Sequence, residues 1–194
     1  MSRNIPHLSP INNPAQNRPG HVGRPHNVEA ADRLAIGLKT VVFICTANYY
    51  RSRFSEYLFN ALAEKQGLPW RATSRGLRTW MAANEGPISE LTAYRLTAMG
   101  VAFDAERFPI PLSAADLENA DLVVAVKKAE HYAMMREQFP AWADRIEYWH
   151  VDDIDCATAD EALPICESRV KCLVDRLLAE QKRQEVPARS RRVA

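Results

Sequence analysis

Cys45-Thr46-Ala47-Asn48-Tyr49-Tyr50-Arg51-Ser52 brings a thiol nucleophile, a guanidinium and a hydroxyl together at fixed spacing, directly after the apolar run Thr40–Ile44. Successive backbone N–H groups in a tight loop make an anion-binding concavity. A helix opening just after it adds unpaired N–H groups and a positive dipole end. Arg51 at that helix start can offer a bidentate fork to two phosphate oxygens. The same donors favour the thiolate of Cys45, and the Ser52 hydroxyl is within sequence reach of the sulfur. The chemistry these residue types suit is attack of sulfur on phosphorus.

The flanking pattern supplies what such a loop needs. Thr40–Ile44 reads as a buried parallel strand. Phe54, Tyr57, Leu58, Ala61 and Leu62 recur with helical spacing, and Gly67 stops the helix. Trp70–Thr73 and Leu122–Val126 read as strands, and Ile146–Trp149 as the last one. Ile88–Met99, closed by Gly100, predicts a helix; Ser113 and Asp116 predict a short capped one. Tyr132, Met135 and Phe139 mark a helix stopped by Pro140. Leu163, Cys166, Val170, Val174 and Leu177 line one face of a long final helix. This order predicts an α/β fold of the doubly wound, flavodoxin-like kind: a four-stranded parallel sheet with helices on both faces. Ligands in such sheets bind beyond the carboxyl ends of the strands, where the Cys45 loop falls.

The loop resembles that of the low-molecular-weight protein tyrosine phosphatases, typically Val-Cys-x-Gly-Asn-x-Cys-Arg-Ser; Cys45, Asn48, Arg51 and Ser52 fall in register. The resemblance spans roughly residues 38–180 in element order. It implies hydrolysis of phosphomonoesters, protein phosphotyrosine above all, through a phosphocysteine on Cys45. It implies that Thr46, Ala47, Asn48, Tyr49 and Tyr50 cradle the phosphate, that Asn48 adopts a left-handed backbone, and that Ser74 braces the loop from behind. Thr73-Ser74-Arg75-Gly76-Leu77 is similar to the family's segment after its second strand, and Glu56 fits the helix after the loop. Trp80 lies near where relatives place an aromatic wall for the substrate ring. The general acid is implied in His150-Val151-Asp152-Asp153-Ile154-Asp155: register favours Asp153, with Asp152 and Asp155 as rivals. The sequence departs from the family pattern at Ala47 for Gly, Tyr50 for the second loop Cys, Arg53 for Pro and Ile154 for the Pro after the acid. With Tyr50 in place of a thiol, no disulfide can form within the loop.

Two alternatives stay open. One is a phosphate- or phosphotyrosine-binding regulatory module with weakened turnover, suggested by the altered acid loop. The other is an arsenate reductase, which would need a disulfide relay; no Cys lies between Arg51 and Ile154, and Cys156 is the nearest candidate.

The chain has 194 residues, 47% hydrophobic and 25% charged, with a formal net charge of +1, so no global field favours nucleic acid or a membrane surface. The partners expected are a phosphorylated protein or a small phosphate ester. Neither a metal nor another cofactor is called for, since the four cysteines lack zinc-type spacing. Cys166 and Cys172, about 240° apart around a helix, are read as buried thiols that do not bridge each other. His131 and His150 are read as structural. No secretory or membrane-spanning pattern is present, and the expected location is the cytoplasm. Residues 1–35, rich in Pro and Asn, are expected to form a disordered extension. Residues 36–183 form the α/β domain, and 184–194 a basic tail.

Overall fold

The computed structural model describes residues 37–151 and 159–190. The N-terminal extension expected over 1–35, the candidate acids Asp152, Asp153 and Asp155, and Cys156 lie outside the described residues. The elements in chain order are β1 (Lys39–Cys45), α1 (Arg51–Gln66), β2 (Trp70–Gly76), a 3-10 turn (Thr79–Ala82), α2 (Glu90–Ala98), α3 (Ala114–Glu118), β3 (Leu122–Ala125), α4 (Lys128–Gln138), β4 (Glu147–Tyr148) and α5 (Ala159–Ser190).

The sheet order is β2-β1-β3-β4 and every pairing is parallel. Strand alternation splits the core in two. Val41, Phe43 and Cys45 face a cluster with Phe54, Leu58, Leu96, Val170 and Val174. Val42 and Ile44 face Leu112, Leu117, Met135 and Ala143 on the other side. Both layers depend on β1 being central, which is why its run is continuously apolar. The predicted core face of the final helix is buried throughout: Leu163, Cys166, Val170, Val174 and Leu177. Helix α5 continues to Ser190, past residue 184 where a tail is expected.

Local signals act as their chemistry predicts. Gly67 and Gly100 take left-handed φ of 64° and 69° after α1 and α2. Ser113 and Asp116 form a reciprocal capping box on α3. The outer edge of β2 is satisfied locally: the Asn60 side chain donates to the Ala72 carbonyl (3.1 Å) and accepts from its N–H (2.7 Å). That pairing blocks strand addition at Ala72, in the middle of the edge strand.

Three sequence expectations need correction. Ser74, Arg75 and Gly76 belong to β2 rather than to a segment after it, because pairing with β1 persists to Cys45↔Gly76. Strand β4 has only two residues, paired from Val124↔Glu147 to Ala125↔Tyr148. Cys172 is exposed; the rotation that separates it from buried Cys166 carries it off the core face.

Candidate active site

Strand β1 runs between β2 and β3, so the chain leaves the sheet in opposite directions on either side of it. Its carboxyl end is therefore the topological switch point, where loops diverge and leave a crevice. Cys45 is the last residue of β1 and Arg51 the first of α1, so residues 46–50 span that crevice.

The Cys45 sulfur is buried but meets polar groups rather than hydrocarbon alone. The Asn48 N–H donates to it at 3.2 Å, and the Ser52 hydroxyl lies 2.9 Å away. Asn48 fixes the direction of that hydroxyl. Its side-chain amide donates to Ser52 Oγ at 3.1 Å and to Ser74 Oγ at 2.8 Å, and its Oδ1 accepts from the Ile110 N–H at 2.9 Å. Ser52 Oγ accepts from Asn48, and its own proton is free to turn toward the sulfur 2.9 Å away. The Ser74 hydroxyl donates to Glu56 Oε2, and the Glu56 carboxylate pairs with the Arg107 guanidinium (2.8 Å between Oε1 and Nη1). A fully buried amide thus ties β1, α1, β2 and the segment before α3 together.

Asn48 has φ 54°, the only positive φ outside glycine among the described residues. Asn adopts this region more readily than most residues. Ala47 is not in that region, so replacing the family's Gly there puts no strain on the backbone. The loop also lies against β2: a Cβ built on Gly76 would fall 2.9 Å from the Ala47 carbonyl carbon and 2.9 Å from the Asn48 nitrogen. Only a residue without a side chain fits that contact.

Arg51 is almost fully buried. Its Nη1 donates to the Val151 carbonyl at 3.0 Å, and its Nη2 to Glu130 Oε2 at 3.0 Å and Oε1 at 3.2 Å. Thr46 Oγ1 donates to Glu130 Oε1, and His131 Nε2 lies 3.3 Å from both of those oxygens. The Lys127 N–H donates to His131 Nδ1 at 3.1 Å, which leaves Nε2 as the proton-bearing nitrogen. Burial would raise the Glu130 carboxyl; the hydrogen bond from His131, the Arg51 charge and the Thr46 hydroxyl outweigh it and hold it well below the usual carboxylate range.

The family model for low molecular weight phosphotyrosine protein phosphatase matches residues 40–182. The chain belongs to this family. Family members are cysteine-dependent phosphatases. A protein-arginine-phosphatase of Bacillus subtilis (strain 168) is 29% identical over 106 residues, 55% of this chain and 67% of that protein. The low molecular weight protein-tyrosine-phosphatase YfkJ of the same organism is 33% identical over 99 residues, 50% of this chain and 61% of that protein. The crystal structure of YfkJ superposes with a TM-score of 0.65 at 24% identity, over 74% of this chain and 96% of that one.

The remaining residues singled out in the sequence sit as follows. Tyr49 donates from its hydroxyl to the Glu85 carbonyl at 2.8 Å, fastening the loop's outer turn. Tyr50, where relatives carry the second thiol, packs into the α1/α5 side of the core. Trp80 stands 71% exposed in the 3-10 turn after β2. His131 is buried against the loop, and His150 is exposed. Arg53, which replaces the family's Pro, is fully buried and donates to the carbonyls of Pro87, Asp104 and Arg107.

Glu130 and Arg107 were not singled out from sequence. Parallel neighbours end on the same edge, so an acid in the first turn after β3 is a natural partner for an arginine in the first turn after β1. That signal was available for Glu130. Arg107 lies in an irregular stretch with no periodic pattern to place it.

Proposed function

We propose that this chain hydrolyses phosphomonoesters, protein phosphotyrosine first among them, through a phosphocysteine on Cys45. The observation that carries the reading is a buried sulfur held between the Asn48 N–H and the Ser52 hydroxyl, 2.9 Å away, at the switch point of the sheet. In this reading the phosphate lies in the 46–50 loop, with Arg51 and backbone N–H groups on its equatorial oxygens. The thiolate attacks phosphorus in line; the S–P bond forms as the bond to the ester oxygen breaks. Asp153 gives its proton to that leaving oxygen. It then takes a proton from water, which attacks the phosphocysteine and releases inorganic phosphate and the thiolate. Ser52 and Asn48 stabilise sulfur as it leaves. Val151, whose carbonyl accepts from Arg51, lies two residues before Asp153 in the sequence, which supports Asp153 as the acid. Trp80, exposed after β2, suits the flank of an aromatic ester.

Phosphoarginine is the second reading for the same chemistry, favoured by the similarity to a protein named as an arginine phosphatase. Hydrolysis of para-nitrophenyl phosphate by wild type and Cys45→Ser tests the enzyme class. Turnover abolished by the substitution supports it, and phosphate or vanadate binding without wild-type turnover favours the binding module. Phosphotyrosyl and phosphoarginyl forms of one peptide then rank the substrates. Arsenate-dependent oxidation of thioredoxin would favour the reductase. Asp153→Asn is expected to slow esters with poor leaving groups most; unchanged turnover of those esters removes Asp153 from the role.

A further inference from the structure

Arg51 has to meet a dianion, yet its Nη2 is held by a carboxylate that no part of the reaction above uses. A buried guanidinium left without an anion would be strongly disfavoured, so a partner is required whenever the loop is empty. A backbone carbonyl alone, such as that of Val151, supplies direction but no charge. Glu130 supplies both. It lies in the first turn of α4, where the helix dipole favours a carboxylate. It also accepts from Thr46, the first residue of the phosphate loop, so one carboxylate joins the two ends of that loop.

We propose that Glu130 is a positioning residue of this site: its carboxylate holds the Arg51 guanidinium and the Thr46 hydroxyl in their working directions and, by its charge, weakens the hold on the phosphate dianion. The two effects have opposite signs. Directing the fork raises the rate of phosphoryl transfer, because misplacing it by about 1 Å can cost about 100-fold. The negative charge beside the pocket repels the dianion and so speeds phosphate release. The depressed protonation of Glu130 fits this, since the carboxylate stays charged throughout any practical assay range. A pair that served only to stabilise the fold would show neither effect.

The inference rests on the phosphatase reading, and the Cys45→Ser comparison tests that reading separately. The experiment uses the full chain with Glu130→Gln and Glu130→Asp. Steady-state turnover of para-nitrophenyl phosphate gives kcat and KM, calorimetric titration with inorganic phosphate gives affinity without turnover, and thermal unfolding is followed for each variant. For Glu130→Gln, kcat is expected to fall about 10- to 100-fold while phosphate binds about 10-fold more tightly. Glu130→Asp keeps the charge but withdraws it by one methylene; kcat is expected to fall with phosphate affinity unchanged. This second variant decides the matter should Glu130→Gln not fold. Wild-type kcat and phosphate affinity in whichever variants fold, or losses that merely track the melting temperature, overturn the proposal. If turnover survives Cys45→Ser, the phosphatase reading itself fails.

Discussion

Asn48→Asp replaces the amide nitrogen by oxygen, adds a negative charge and turns the donor of two hydrogen bonds into an acceptor. The Oδ1 that accepts from Ile110 is retained, and Asp tolerates the left-handed backbone that Asn48 adopts. The donor that meets Ser52 at 3.1 Å and Ser74 at 2.8 Å becomes an acceptor. The Ser52 proton then turns from sulfur toward the new carboxylate, and Cys45 loses a hydrogen bond to its anionic form. Such bonds contribute about 1.5–3 kcal/mol, so kcat/KM is expected to fall about 10- to 150-fold. Ser74 meanwhile faces two carboxylates with one proton, which costs about 1–3 kcal/mol of stability. Ser52→Ala removes the same bond at its other end and is expected to lose activity over the same range, with a smaller stability change. The double variant is expected to be little worse than Asn48→Asp alone, since both remove the same hydrogen bond to sulfur. The assay is kcat/KM for para-nitrophenyl phosphate across pH, with urea unfolding alongside. If Asn48→Asp keeps wild-type activity while Ser52→Ala loses it, the amide does not aim the hydroxyl. Multiplying losses in the double variant would refute the argument equally.

Other consequences follow from the same contacts. Gly76→Ala presses a Cβ against the Ala47–Asn48 backbone and Thr79 Cγ2; it is expected to cost about 1–3 kcal/mol and to weaken phosphate binding, read by thermal unfolding and calorimetry. Trp80→Ala is expected to leave stability within about 0.5 kcal/mol but to raise KM for a phosphotyrosyl peptide about 2- to 12-fold, with phosphate inhibition unchanged; an unchanged KM rejects the aromatic wall. The folded Glu130 carboxyl titrates below its ordinary 4.5, so its pairing stabilises the protein fully above that pH and loses effect as pH falls toward the folded value. Unfolding free energy is therefore expected to drop more steeply below about pH 4.5 in wild type than in Glu130→Gln. Asp116, which burial would raise but which hydrogen bonds from Ser113 and Arg75 depress, leaves a residual slope in both.

Much of the fold was legible because local and global signals agree. From Val41 to Cys45, β1 is apolar at every position since both faces are covered there. The final helix carries one apolar stripe since only one face is. Gly67, Gly100 and the Ser113–Asp116 box mark ends by backbone chemistry that needs no distant partner. Strand β4 was harder: with two paired residues it carries little periodic signal. The extent of β2 was misjudged because Ser74 and Arg75 lack strand propensity and are held by pairing with β1.

Cys45, Asn48, Arg51 and Ser52 were readable because they share one loop, and spacing within a loop is a local property. The sequence by itself determined the Cys45–Ser52 loop and the parallel sheet that presents it. Tertiary structure alone decided which charges meet there. Glu130 is 79 residues from Arg51, and Arg107 is 51 from Glu56. No periodicity or motif encodes such pairings; they arise because parallel strands deliver every following loop to the same edge of the sheet.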